Sequence, residues 1–226
     1  MTATDLQKQA LDAREPTRPI LDIFPSRWSP RAFDGTPTTA DEMHTILEAA
    51  RWAPSSYNEQ EWRFVYGLKG TAHFDTLFAL LAESNQAWCE DAGALIHVSS
   101  RTTFSKNGKP NVAYAFDAGL ATQNLLLQAA SMGLATHCMV GFNKPASLVS
   151  LDIPKGVEAH CMIAVGRQGD ASKLSPEMQA LEAPNGRNPL GAIAAEGRYD
   201  FDENPGGQTT ADQAKLATQA GQPTKG

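Results

Sequence analysis

Cysteine is scarce in this chain, and its placement suits neither of the residue's structural uses. Cys89, Cys138 and Cys161 are odd in number and contain no Cys-x-x-Cys pair, which argues against a disulfide framework and against a zinc site. There is no Asn-x-Ser/Thr sequon, and the amino-terminal segment lacks the apolar core of a signal peptide. Reduced thiols in the cytoplasm are therefore expected. Long apolar runs are missing too. The longest stretch without Asp, Glu, Lys or Arg, residues 118–143, is broken by Gln123, Asn124, Gln128 and Ser131, too often for a membrane span. Excess basic charge is absent: a formal charge of -6 and a pI near 5.4 give no general attraction to nucleic acid or anionic lipid. Finally, no Gly-x-Gly-x-x-Gly, Walker loop or Gly-x-Ser-x-Gly occurs, which weakens Rossmann, nucleotide-triphosphatase and hydrolase readings.

What is present suffices for one sizeable core. A chain of 226 residues with 42% hydrophobic content reads as a single domain over residues 1–201. Residues 202–226 carry Gly, Gln, Thr, Ala and Lys without aromatics and read as a disordered tail. A short amphipathic helix is expected over residues 5–13 with Thr4 as its cap, followed by extended chain through Pro16, Pro19, Pro25 and Pro30. Thr39-Ala40-Asp41-Glu42 has the form of a capping box, and Met43, Ile46, Leu47 and Ala50 follow on one helical face. Strands are expected at residues 62–66, 94–98, 136–140 and 159–165, with helices around Phe74 to Leu81, over residues 112–133 and over residues 145–150. The helix over 112–133 is apolar nearly all round, so it belongs in the centre and under a second subunit. Residues 99–111 read as a loop and a candidate lid.

Candidate chemistry gathers in Arg27-Trp28-Ser29-Pro30-Arg31-Ala32-Phe33. In an extended segment side chains alternate, so Arg27, Ser29 and Arg31 share one side and offer two permanent cations and a hydroxyl. Such a set suits phosphate oxygens or a carbonyl-rich ring. On its own such a cluster is more often surface arginines paired with nearby carboxylates. A second segment, Pro54-Ser55-Ser56-Tyr57-Asn58-Glu59-Gln60-Glu61-Trp62, follows after one helix, and a third, Gly133-Leu134-Ala135-Thr136-His137-Cys138-Met139-Val140-Gly141-Phe142-Asn143, comes later.

These three segments, in this order, resemble the nitroreductase family of flavin mononucleotide (FMN) enzymes. The family opens with Arg-x-Ser-x-Arg/Lys-x-Phe, continues with a Pro-Ser-Ser-x-Asn-x-Gln-Pro-Trp loop, and passes the flavin ring with a segment like the third. The resemblance covers about residues 19–190. It implies an α+β fold with a mixed central sheet flanked by helices, and a homodimer with two FMN sites at the subunit interface. Arg27 and Ser29 would then meet the phosphate, joined by Arg187, and Arg31 the pyrimidine edge of the ring, where a fixed cation favours the reduced, more negative ring. Asn58 would meet the ribityl chain or the pyrimidine edge, and Pro54, Ser55 and Ser56 would reach the flavin of the other subunit. Val140 and Gly141 would pass the ring through their backbone. Trp28 either packs against the ring or fills the core. Cys138 and Met139 match ring-lining positions but read more readily as core packing, and His97, His137 and His160 read as structural.

The implied activity is hydride uptake from NADH or NADPH and reduction of nitroaromatics, quinones or related small acceptors in a ping-pong sequence. No dedicated catalytic acid or base and no metal is required. Rival readings are a flavin-binding storage or regulatory module without turnover, an enal or semialdehyde reductase or a dehalogenase on the same fold, and a structural dimer that has lost flavin. Two departures feed the last: Glu61 stands where the family has proline, and Asn185 where a lysine often accompanies the phosphate arginine.

Overall fold

The computed structural model describes residues 5–201. These fall into two compact units, one ending at Asn185 and one beginning at Gly186. The first opens with α1 (Asp5–Asp12) and the single turn α2 (Ile23–Ser26), then the capped helix α3 (Ala40–Arg51). It continues with strand β1 (Trp62–Leu68), helices α4 (Ala72–Ala79) and α5 (Glu83–Cys89), strand β2 (Ala94–Arg101) and the long helix α6 (Tyr114–Ser131). Strand β3 (Ala135–Met139), helix α7 (Lys144–Ser150), strand β4 (Val157–Gly166) and the short helix α8 (Pro176–Gln179) complete it. In the second unit, the described residues hold one short 3-10 turn, Leu190–Ala192, and an edge-on contact of Tyr199 with Phe201. The expected cap Thr4 and the expected tail lie outside the described residues.

Strand order is β1-β2-β4-β3. All three pairings are antiparallel, so the central sheet is flanked by helices as expected but is not mixed among the described strands. Period-two alternation divides the core between two faces. Leu95, Met162 and Ala164 turn toward a cluster with Leu6, Trp28, Phe33, Phe74, Leu77, Trp88 and Met139. Ala94, Ile96, Val98, Ile163 and Val165 turn the other way, toward Met43, Ile46 and Ala50 of α3 and Ala118, Ala121, Leu125 and Ala129 of α6. Both faces of β2 are therefore covered, which explains why its residues from Ala94 to Ser100 are all buried and why its sequence shows no polar alternation.

The boundary corrections have local causes. Residues 99–101 continue β2 rather than starting a loop, because Ser99, Ser100 and Arg101 still pair with β4 beyond a register shift at Val98/Ser99. The rest of that segment is a tight excursion closed by a Thr103–Pro110 bridge. Helix α5 was not anticipated: its N-cap is Ala82, which provides no side-chain cap, so its start carries no sequence signal. The capping box of α3 is present in both directions, with Thr39 Oγ1 accepting from Glu42 N–H and Glu42 accepting from Thr39 N–H.

Candidate functional site

The segment 27–33 is extended: its far end pairs with residues 167–169 just past β4, through Asp34 N–H to the Arg167 carbonyl at 3.1 Å and Gly169 N–H to the Ala32 carbonyl at 2.9 Å, and its middle meets β3 where His137 lies 3.1 Å from the Pro30 carbonyl. Burial alternates along it as far as Ala32 and then breaks, because Phe33 is buried as well. Trp28, Pro30 and Ala32 are buried while Arg27, Ser29 and Arg31 are half-exposed. An Arg27 Nη1 donates to Ser29 Oγ at 3.2 Å, which puts the two on one side. Arg31 and Arg27 both act electrostatically on His137, and Arg27 also on Cys138. The first and third motifs thus converge on one edge of the sheet.

Long-range hydrogen bonds hold this segment straight. Both carboxylate oxygens of Glu182 accept from Arg31 N–H, at 2.8 and 2.9 Å, and Oε1 also accepts from Ala32 N–H at 2.8 Å. Arg14 donates to the carbonyls of Pro25 at 2.6 Å and Arg27 at 2.8 Å, and its Nε to the carbonyl of Asn185 at 2.8 Å. Neither Arg14 nor Glu182 was singled out in the sequence. Glu182 lies 151 positions from Arg31, and no local pattern announces such a pairing.

The third motif presents a short exposed edge. Cys138 and Val140 are exposed and Met139 is buried, with Cys89 Sγ 3.5 Å from its sulfur. Met139 therefore packs in the core, as does Trp28 at 4% exposure; of the readings left open for each, the core one fits their side chains. The Gly141 carbonyl accepts from Asn85 Nδ2 at 2.8 Å and Ala82 N–H at 3.0 Å. A Cβ at Gly141 would stand 2.8 Å from that same Asn85 nitrogen, so a larger residue would push the Asn85 amide off the turn it now holds. Cys138 and Cys161 interact across β3 and β4; the hydrogen bond from Cys161, and then Arg27, shift the Cys138 thiol down, while Cys161 is pushed up.

The histidines are structural in their contacts. His97 is fully buried with Nε2 3.2 Å from Ser147 Oγ, and burial lowers its pKa to about 4. His137 lies 3.1 Å from the Pro30 carbonyl and tilts against Trp88; burial, then Arg31, also lowers it to about 4. His160 pairs with Ser100 Oγ at 2.6 Å. Among the described residues no group of His, Cys, Asp and Glu has the makings of a metal site, and no helix is long and apolar enough to cross a membrane.

The second motif lies elsewhere. Residues 54–60 precede β1, which is the opposite edge strand from β3. Within the loop, Tyr57, Asn58 and Gln60 have φ of 53°, 57° and 51°. Three non-glycine residues in left-handed conformation within four positions cost about 1–3 kcal/mol each, so this loop is held against its preference. Ser55 Oγ accepts from Gln60 N–H at 3.0 Å, and Ser56 N–H donates to the buried Asp117 of α6 at 2.8 Å. Glu59 accepts from Ser105 N–H at 2.8 Å and pairs with Arg101, and Tyr57 stacks edge-on against Phe104. The candidate lid is thereby fastened to the loop that carries Pro54, Ser55, Ser56 and Asn58. Arg187 belongs to the second unit, where it donates to the Gly186 carbonyl at 2.8 Å.

The nitroreductase family model matches residues 25–69 and 69–167. Protein DrgA of Synechocystis is 30% identical over 183 residues, covering 69% of this chain and 84% of that protein. YodC of Bacillus subtilis, which carries the name of an NAD(P)H nitroreductase, is 24% identical over 178 residues, covering 65% of this chain and 88% of its own length. A solved oxidoreductase containing FMN superposes with a TM-score of 0.82 at 38% identity, over 89% of this chain and 100% of that one. A nitroreductase family protein from Streptococcus pneumoniae shares the fold, with a TM-score of 0.60 at 22% identity over 75% of this chain and 96% of its own.

Proposed function

This chain belongs to the nitroreductase family, and from that premise we propose that it is an FMN-dependent oxidoreductase taking electrons from NADH or NADPH and delivering them to nitroaromatics, quinones or related small acceptors. The observation that carries the reading is the outward row Arg27, Ser29 and Arg31 beside the exposed edge of β3. Two guanidiniums and a hydroxyl match a phosphate and a polar-edged ring, and the neighbouring Cys138 and Val140 are exposed. The donor set therefore fits the group.

FMN supplies the two-electron carrier; the chain supplies position and charge. Arg27 and Ser29 would hold the phosphate. Arg31 places its charge at the pyrimidine edge. Glu182 contributes indirectly, by fixing the backbone from which Arg31 projects. His137 stays neutral beside the two arginines above its pKa of about 4, so it adds no further cation there near neutral pH. Val140 and Gly141 pass the ring through a turn pinned to α5.

Because Pro54, Ser55, Ser56 and Asn58 sit at the opposite edge of the sheet, a second copy of the chain is what would bring them to the first copy's arginines. The site is thus built from two subunits. One ring face then serves donor and acceptor in turn, so double-reciprocal plots at several acceptor concentrations should be parallel. The visible spectrum of purified protein tests the whole reading: a flavin spectrum that bleaches anaerobically with NADH or NADPH and returns on adding a quinone or nitroaromatic is expected. Bound flavin that neither nicotinamide bleaches would favour a storage module, and protein that stays colourless after incubation with FMN would refute the proposal.

A further inference from the structure

Glu61, the residue standing where the family has proline, is completely buried and is not surrounded as an ionised carboxylate would need. Its side chain is 0% exposed, and Asp117, with which it interacts directly, is 3% exposed. Glu61 Oε1 accepts from Asn111 Nδ2 at 2.6 Å. Its Oε2 is buried and receives no N–H or O–H. Asp117 Oδ2 accepts Ser56 N–H at 2.8 Å. Two carboxylates in contact away from water repel strongly and leave a lone pair without a donor, whereas one proton between them removes both penalties. The acceptor roles of Glu61 Oε1 and Asp117 Oδ2 are already taken, so Glu61 Oε2 is the natural place for that proton.

We propose that Glu61 keeps a proton, which its Oε2 donates to Asp117, and that this hydrogen bond holds residues 54–60 in their left-handed conformation, making Glu61 a positioning residue for this loop and, through it, for flavin. The flavin part rests on the FMN reading of the loop. Burial raises the Glu61 pKa, and the Asp117 carboxylate adds to the rise, against the lowering by Glu61's own backbone N–H and by Asn111. The other charged groups nearby have partners or causes of their own. Burial, and then the neighbouring Arg101 of β2, lowers the pKa of Arg63 on β1. Arg101 gives its N–H to the Glu61 carbonyl at 3.1 Å and pairs with Glu59, whose own pKa is lowered by the Ser105 amide first. Tyr114, one turn before Asp117, is pushed up by its hydrogen bond to Glu158, and burial lowers His160.

The sign follows from linkage. In the folded chain Glu61 keeps its proton to higher pH than in the unfolded chain, so its contribution is full below the ordinary carboxylate pKa and declines as pH rises toward the raised value. Glu61→Gln keeps both roles without a titratable proton, its amide nitrogen donating to Asp117 and its oxygen accepting from Asn111. Two measurements on the full-length protein test the proposal. In thermal unfolding of flavin-free protein between about pH 5 and about pH 8.5, the melting temperature of Glu61→Gln should gain on wild type as pH rises, by about 2–4 °C. A difference that stays constant with pH would overturn the retained proton. In FMN titrations followed by flavin fluorescence near pH 7, Glu61→Gln should bind within about twofold of wild type and Glu61→Ala about tenfold more weakly. Equal weakening in Gln and Ala variants, or in neither, would overturn the positioning role. If wild type takes up no FMN at all, the flavin reading fails and the melting profiles alone decide for or against the proton.

Discussion

Arg31 divides its work between backbone and side chain. Glu182 takes its N–H, and the guanidinium is left to act toward His137 and the exposed edge of β3. A cation at the pyrimidine edge stabilises the reduced ring more than the oxidised one, so Arg31→Met should lower the flavin reduction potential. The expected drop is about 20–60 mV, the equivalent for a two-electron couple of about 1–3 kcal/mol. Potentiometric titration checks it, and an unchanged potential with FMN bound would move Arg31 away from the ring. A second residue-scale consequence concerns acid. His97 and His137 are held neutral in the fold with pKa values of about 4 against 6.5 for the free side chain. The unfolded chain therefore binds more protons between those values, and stability should fall as pH drops from about 6.5 to about 4. His97→Gln should flatten that slope in urea-denaturation midpoints measured across the window; an identical slope would exclude His97 as a contributor. At this scale the alternation of Arg27, Ser29 and Arg31 was readable from the sequence. The inward turn of Trp28 and Met139 was not, because a flavin-facing and a core-facing apolar residue look alike until the sheet assigns the faces.

Among the elements, α3 was the most legible. Its capping box reports its first turn, and its apolar spacing reports the face packed on α6. Thr39→Ala removes the acceptor for Glu42 N–H and should cost about 1 kcal/mol in denaturant unfolding with unchanged m-value. A loss below about 0.3 kcal/mol would show that water replaces the cap. Helix α5 and the last turn of β2 were illegible for the opposite reason. The first has no cap residue, and the second continues only because β4 supplies partners after a register shift. The loop at residues 54–60 combines both cases: its Pro-Ser-Ser-x-Asn-x-Gln pattern identifies it, yet its strained backbone depends on Asp117, Ser105 and Arg101 arriving from α6, the excursion and β2.

For the whole molecule, α6 bears on the proposed dimer. Its buried face packs on the sheet and α3, while Phe116 is 71% exposed, and Val112 just ahead of the helix is 95% exposed. Trp52 beyond α3 and Val140 beyond β3 are also exposed, at 72% and 74%. Val112 and Phe116, four positions apart at the start of the helix, are the pair we expect a partner to cover. An obligate homodimer burying more than about 2,000 Å² is the expected state, with no stable monomer. Light scattering at low concentration should give twice the chain mass, and a folded, FMN-saturated monomer would contradict the two-subunit site.

By itself the sequence determined the family, the order of its three motifs, the alternation that turns Arg27, Ser29 and Arg31 outward, and the helices and strands whose periodicity or caps are local. Those properties depend on neighbours a few positions apart, and so they survive in a linear string. The tertiary structure decided the rest: an antiparallel sheet whose opposite edges carry the first and second motifs, Glu182 and Arg14 as the braces of the arginine segment, and Glu61 buried against Asp117. Each of these joins residues far apart in the chain, where desolvation and hydrogen-bond partners depend on what the fold places alongside. A glutamate in a proline's position is a departure in the sequence, and it becomes the holder of a proton only when burial takes water away.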